Sequence, residues 1–352
     1  MRRLKAVILV GGPGTRLQPL TNDIPKSIVP VLNRPVMEHM IAYLKQFEVE
    51  DIILTLSYLP DMIQSHFGDG RDFGVSLVYC TEKEPMGTAG AVKNAAEYLE
   101  STFIVLNGDI FTEMNLADMI SFHSGNKAQA TIALTWVDNP SAFGVVETDD
   151  AYRVKRFVEK PPPGEETTNW INAGAYILEP EVLEHIPVNQ HYMFEKGLFP
   201  HLVDTGEPVY GYPYRGYWLD MGTLENYHTL NIDFLLSKVH SPLLPDFSRD
   251  GIYCGPDVAL NPLAVITAPV TIERGCRIGR EVRITGPVSI GRDCVLEDGA
   301  SIEKAVLWDS IRVGAGARLS NCIVSSTTAI ARGQAINDCA VTPSETVPLK
   351  RS

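Results

Sequence analysis

From residue 252 onward, apolar residues return every six positions. One set runs Val270, Cys276, Val282, Val288, Cys294, Ala300, Val306; a second runs Ile311, Ala317, Ile323, Ala329, Ala335, Val341. The two sets are offset by one residue, which puts a slip between Val306 and Ile311. Two places after members of the first set stand Ile272, Ile278, Ile284, Ile290, Leu296 and Ile302, then Trp308, with Gly, Asp and Arg in the gaps. An amphipathic α-helix repeats about every 3.6 residues, so it cannot carry this pattern. A parallel β-helix can, with three hexads to a coil. Cys276 and Cys294 then lie one coil apart and stack as small inward residues; no His or paired Cys nearby suggests a metal.

The texture before residue 235 is different. Strand-like runs at Ala6–Val10, Ile52–Leu56, Val75–Tyr79, Phe103–Leu106 and Thr131–Trp136 alternate with helical segments: Met37 to Phe47, Ala89–Leu99 and Leu116–His123. Such alternation predicts an α/β fold whose mostly parallel sheet is covered on both faces. The reading is therefore a catalytic domain at 1–235, a linker at 236–251 containing SPLLPDFSRDG, and a β-helix at 252–345.

Bulk properties narrow the partners. The chain has 352 residues and a net charge of -13, which argues against broad binding to nucleic acid or acidic membrane. The apolar run after MRRLKA is too short for a signal peptide, and no stretch reaches the length of a membrane span. Six cysteines without a CxxC fit reduced thiols in the cytoplasm.

The first strand runs into VGGPGTRLQPLTNDIPKSIVPV. Ligands bind beyond the carboxyl ends of parallel strands. Gly11, Gly12 and Gly14 let backbone N–H groups approach a phosphate, Arg16 offers a planar fork, and Lys26 a mobile charge. The dinucleotide fingerprint fails because Leu17 stands where a glycine is needed. The Walker pattern fails because Lys26 lies twelve residues past Gly14.

The motif GGxGTRLxPLTxxxPKxxxPV resembles the N-terminal signature of the sugar nucleotidyltransferases. These enzymes join a nucleoside triphosphate to a sugar 1-phosphate and release pyrophosphate. Val10 stands where that family often has Ala. The likeness continues at EPMGTAG (84–90), LNGD (106–109), FGVVE (143–147), FVEKP (157–161), NAGAY (172–176) and WLDMGT (218–223), and the repeat is similar to the left-handed β-helix tails of some members. The resemblance thus implies a Rossmann-like mixed, mostly parallel sheet followed by a left-handed β-helix.

It also implies roles. Leu9, Gly11, Gly12, Gly14, Thr15, Arg16, Lys26, Gly87, Thr88 and Gly90 would bind the nucleotide. Gly144, Glu159, Lys160 and Asn172 would bind the sugar phosphate. Asp109 and Asp220 would hold Mg²⁺, which takes one or two carboxylates plus phosphate oxygens and waters. Arg16, Lys26 and Asp109 are the expected catalytic groups. Each Asp taken singly is also a reasonable cap or turn residue, and Lys160 with Glu159 a solvated pair at a strand end.

EPMGTAGAV is most similar to mannose-1-phosphate guanylyltransferases, so GTP and mannose 1-phosphate are the expected substrates. Thymidylyl or uridylyl transfer to glucose 1-phosphate is the alternative, with adenylyl transfer third. Two other classes compete. An acyltransferase would need a His base in the repeat, yet all eight histidines precede residue 241. A non-catalytic sugar-nucleotide sensor would tend to lose the charged set that is complete here. The β-helix is expected to drive homo-oligomer formation.

Overall fold

The computed structural model describes residues 4–244 and 251–350. Contacts divide the chain into two compact units. One comprises residues 1–12 and 40–218, the other 13–39 and 219–352. Residues 245–250 of the expected linker lie outside the described residues.

The first unit is built on a nine-stranded sheet: β1 (Lys5–Leu9), β2 (Asp51–Leu56), β3 (Ser76–Thr81), β4 (Phe103–Asn107), β5 (Ala130–Trp136), β6 (Gly144–Thr148), β7 (Val154–Glu159), β8 (Trp170–Leu178) and β9 (Val209–Tyr214). The order is β7-β6-β8-β4-β1-β2-β3, with β5 pairing β8 and β9. β3, β2, β1 and β4 run parallel, as does β9 with β5; β8 runs antiparallel to β4, β5 and β6. The sheet is therefore mixed, its parallel half built from the near-continuous apolar runs of β1, β2 and β4. The register of β8 with β5 shifts between Asn172 and Tyr176. Gly174 sits in that shift with φ 73, and a Cβ there would lie 2.7 Å from Asn107 Nδ2.

Helices α1 (Val36–Lys45), α2 (Pro60–Phe67), α3 (Gly87–Asn94) and α4 (Leu116–Gly125) follow the parallel strands β1, β2, β3 and β4 in the chain, and α5 (Phe199–Asp204) comes after the antiparallel β8. The segment read as one helix over Ala89–Leu99 is α3, ending at Asn94, followed by a 3₁₀ turn at Ala96–Tyr98. The core on one face gathers Val7, Phe103, Val105, Tyr176, Phe194 and Phe199. Phe194 and Phe199 stack at 5.2 Å.

The second unit holds the repeat, a helix α6 (Leu224–Leu235), and the segment 13–39. Strands from Ile252 to Val341 stack in parallel on the strand one coil earlier. Positive-φ corner residues stack in columns: Gly275, Asp293, Ser310, Thr327 in one; Glu281, Gly299, Gly316, Gly333 in another. These corners explain why Gly and Asp recur in the gaps.

The slip lies earlier than the sequence pattern suggests. Partners are 18 apart as far as Thr285 on Glu303, and 17 apart from Val288 on Ala305 onward. The corner Gly286–Pro287 takes two residues, whereas the next takes one, Lys304, at φ 46. Hence Ala305 and Cys322, not Val306 and Ile323, continue the inward column of Val270 and Val288, and Leu307 rather than Trp308 follows Ile290. Val306 and Ile323 misled the pattern because the outward row Thr271, Ser289, Val306, Ile323 is itself buried. Cys276 and Cys294 lie at stacked positions and are fully buried, donating their thiols to the carbonyls of Gly291 and Trp308 at 3.0 Å each.

Candidate active site

In the first unit, β1 ends at Leu9 between β2 and β4. Gly108 follows β4 and donates its N–H to the Leu9 carbonyl at 3.0 Å; a Cβ on Gly108 would stand 2.6 Å from that oxygen. Only glycine allows this approach, and it sets Asp109 beside the start of the glycine loop. Gly11 is needed for packing, since a Cβ would meet Ser57 Oγ at 2.8 Å, and Ser57 donates to the Gly11 carbonyl. Gly12 is different. It is exposed, its φ is ordinary, and an added Cβ would meet open space. The fold makes no demand for glycine there.

α3 carries the three residues assigned to the nucleotide from the EPMGTAG stretch. Their contacts are internal. Gly87 has φ 73, and a Cβ would stand 2.7 Å from the Tyr192 carbonyl; a Cβ on Gly90 would stand 2.9 Å from that of Gln190. The N–H groups of Ala89 and Gly90 both donate to Tyr192 O. Thr88 accepts from the Phe194 N–H and donates to Glu195 Oε2, both at 2.9 Å. These residues therefore bind the 190–195 segment to the start of α3.

β6, β7 and β8 position the residues assigned to the sugar phosphate. Gly144 pairs with Glu159, and a Cβ on it would stand 2.9 Å from Glu159 Oε2, so its absence makes room for that carboxylate. Burial pushes the Glu159 carboxyl up, the Glu195 charge pushes it further, and Lys160 draws it back. Lys160 leaves the strand at φ 47; its Nζ lies 3.9 Å from Glu159 Oε1 and is well exposed. Asn172 donates to the Tyr176 hydroxyl at 2.8 Å and accepts from the Gly174 N–H at 3.0 Å.

Two residues that sequence reasoning passed over belong to this neighbourhood. Glu195 is buried enough to hold its carboxyl above the usual range, with Thr88 and both Lys160 and Lys196 acting to lower it. A single Glu in a helical run gave no signal. Asn107, in LNGD, ends β4 with its Oδ1 buried and without a partner among the described residues. A buried acceptor left so costs about 1–3 kcal/mol unless a ligand supplies a donor.

The second unit holds the other charged residues. Gly14, at φ 64, opens the 3₁₀ turn Thr15–Leu17, and Leu17 is its buried anchor. Thr15 and Arg16 are exposed. Arg16 Nη2 lies 3.6 Å from Asp220 Oδ2. Gly222 makes room for that pair, since a Cβ would stand 2.5 Å from Arg16 Nη2, and its N–H donates to Asp220 Oδ1 at 2.7 Å. Lys26 opens a second turn, Lys26–Ile28, behind Pro25.

Among the described residues, no group of three or more His, Cys, Asp or Glu is placed to hold a metal. The carboxylates of Asp109 and Asp220 are the donor type a hard cation such as Mg²⁺ takes. No helix of the described residues is long and apolar enough to cross a membrane.

Comparison with known proteins gives the family. The chain is 36% identical over 337 residues to a UTP–glucose-1-phosphate uridylyltransferase of Synechocystis, covering 91% of this chain and 87% of that one. It is 35% identical over 318 residues to a mannose-1-phosphate guanylyltransferase of Mycobacterium tuberculosis, covering 89% and 82%. Among solved structures, HddC from Yersinia pseudotuberculosis superposes with a TM-score of 0.58 at 33% identity, over 66% of this chain and 99% of that one. A GMPPB C-terminal domain profile matches residues 266–350. The profile described as Nucleotidyl transferase matches residues 5–236, and the chain belongs to the nucleotidyl transferase family of enzymes.

Proposed function

We propose that this enzyme transfers a guanylyl group from GTP to mannose 1-phosphate, releasing pyrophosphate and forming GDP-mannose. The observation that carries the reading is the junction of β1 and β4, where the Gly108 contact with Leu9 brings a carboxylate to a glycine loop that the fold itself does not require at Gly12.

A sugar phosphate is a monoester with a second pKa near ~6, so it is largely dianionic at neutral pH. It can attack the α-phosphorus in line without a general base, and the remaining work is positioning and charge neutralisation. In this reading the loop amides and Arg16 stabilise the leaving pyrophosphate, Lys26 neutralises the reacting phosphates, and Lys160 holds the incoming one. Glu159 and Asn172 accept and donate to sugar hydroxyls. Asp109 and Asp220 are the proposed Mg²⁺ ligands; the ion, when bound, supplies positive charge to the phosphates.

The guanylyl and mannosyl choice draws on the mannose-1-phosphate guanylyltransferases of Mycobacterium, Arabidopsis and rice among the relatives, and on an HddC structure solved with GMP-PN. Uridylyl transfer to glucose 1-phosphate is the second reading, favoured by the Synechocystis relative. Pyrophosphate release from four NTPs against mannose and glucose 1-phosphates separates them. A clear preference for UTP or dTTP with glucose 1-phosphate overturns the first choice. Nucleotide binding by calorimetry without turnover of any pair would point to a sensor instead.

Self-association through the β-helix is part of the same proposal. Leu260, Leu263 and Val265 are exposed on its first coil, an apolar edge of the kind that suits pairing. Sedimentation of the full chain carrying Leu260→Ser and Leu263→Asp should show a smaller species than the wild type. Six free cysteines suit the reducing cytoplasm proposed as its compartment.

A further inference from the structure

The segment 13–39, with Arg16 and Lys26, belongs to the same compact unit as the β-helix. We propose that the β-helix sets the position of this phosphate-handling loop, with Trp308, Tyr227 and Asn33 as positioning residues for Lys26 and Arg16. The role of the loop rests on the function proposed above; the mechanical link does not.

Lys26 is tied to a hairpin. The Val29 N–H donates to the Lys26 carbonyl at 3.2 Å, Val29 and Val36 are joined at 3.1 Å, and Val31 pairs with Arg34. The tip is Leu32–Asn33, both at positive φ as a tight two-residue turn demands. Three anchors then fix the hairpin. Trp308 Nε1–H donates to the Tyr227 hydroxyl at 2.8 Å, and that hydroxyl donates to the Pro30 carbonyl. Asn33 Oδ1 accepts from Ser289 Oγ at 3.2 Å, and Ser289 accepts from Thr271 at the same distance. The Leu32 N–H donates to Asn231 Oδ1 at 2.9 Å, and Asn231 donates in turn to Tyr227 O.

Tyr227, Asn231, Ser289 and Thr271 are all essentially buried. Buried polar groups cost more when orphaned than they contribute when paired, so this network admits one arrangement of hairpin, helix and coil. α6 carries the second arm. Its N-cap Thr223 follows Asp220, Asn226 Nδ2 donates to the Asp220 carbonyl at 2.7 Å, and Asp220 meets Arg16. Four residues on from its first residue, Leu224, His228 Nε2 meets the Lys304 carbonyl at 3.0 Å on the corner where the coil shortens. Lys26 through the hairpin, and Arg16 through Asp220 and α6, are thus both referred to the repeat.

The test is Tyr227→Phe in the full chain, which keeps the ring and removes both hydroxyl bonds, with Trp308→Phe as the milder version. Val313→Ala, a fully buried inward residue of the repeat with no part in the network, serves as a control for general softening. Hydrogen exchange without substrate should rise about tenfold across residues 26–36 in Tyr227→Phe. The KM for GTP should rise about tenfold, with that for mannose 1-phosphate changing less than twofold. Unchanged exchange overturns the proposal whatever the activity does. So does an equal rise in Val313→Ala at a matched loss of Tm. Raised exchange with the KM for both substrates moved alike leaves the link standing and overturns the assignment of the loop to the nucleotide.

Discussion

The two units are held together by different means. The first has an aromatic core, with Tyr176, Phe103, Phe157, Phe194 and Phe199 packed against its sheet. The second has an aliphatic interior of Val, Ile and Ala columns, and buries a run of polar groups outside it: His39, His228, Asn231, Thr271 and Ser289. An apolar core tolerates many packings of similar volume, whereas a buried hydrogen-bond network accepts few. The first unit has a smaller buried polar set of its own, with His123 held between Thr131 at 2.8 Å and Glu179 at 3.1 Å, so the contrast is one of proportion: more volume in the first, more pairing in the second.

The sharpest way to break that comparison is a cavity in each unit. Phe103→Ala should cost the first unit about 3–5 kcal/mol and Ile302→Ala the second about 2–5 kcal/mol. Trp136, Trp170 and Trp218 lie in the first unit and Trp308 in the second. Urea unfolding followed by fluorescence in single-tryptophan backgrounds should therefore shift one transition at a time. A common shift of both probes would show that the units unfold as one.

Next in size are the charges. Arg16→Ala, Lys26→Ala and Asp109→Asn should each lower kcat by about 10²–10³, the usual cost of one electrostatic donor, with Tm nearly unchanged. Full activity in purified Asp109→Asn sinks its proposed metal role. Gly12→Ala is smaller and more diagnostic. It should fold normally and raise the KM for GTP about tenfold, close to the loss of one hydrogen bond. A loss of Tm instead would mean the fold does need that glycine.

The smallest effect concerns Glu195. Its carboxyl is raised by burial, so the folded state favours the protonated form. That contribution is present below the ordinary Glu value near ~4.3 and is lost as pH rises through the folded value. Glu195→Gln should accordingly raise Tm at neutral pH, and the advantage should fade as pH falls through that window and be gone below it. Thermal melts between pH 4 and 8 check the sign.

Legibility in the sequence divides along the same line. The parallel strands could be read as near-continuous apolar runs buried on both faces, and the repeat because the coil imposes a period of six. The slip was misplaced because Val306 and Ile323 are apolar for a second reason, burial of an outward face against whose strands α6 packs. The loop residues around Gly12 and Arg16 were found through a long contiguous motif. The Arg16–Asp220 pair joins positions too far apart in the chain for spacing to reveal. Glu195 was missed because its meaning lies in Thr88 and Glu159, which reach it only in three dimensions.

The change from 18 to 17 residues per coil carries a consequence for how such a tail can change length. Beyond Ala305 the unit of edit is 17 residues. Loss or duplication of one whole coil, such as 309–325, leaves every later column in phase. Loss of a single hexad rotates all later strands by one face of the coil. Added coils beyond Val324 leave in place the corner that receives His228 and the indole that reaches Tyr227. The tail can thus drift in length in steps of one coil while the face that anchors the loop stays constant.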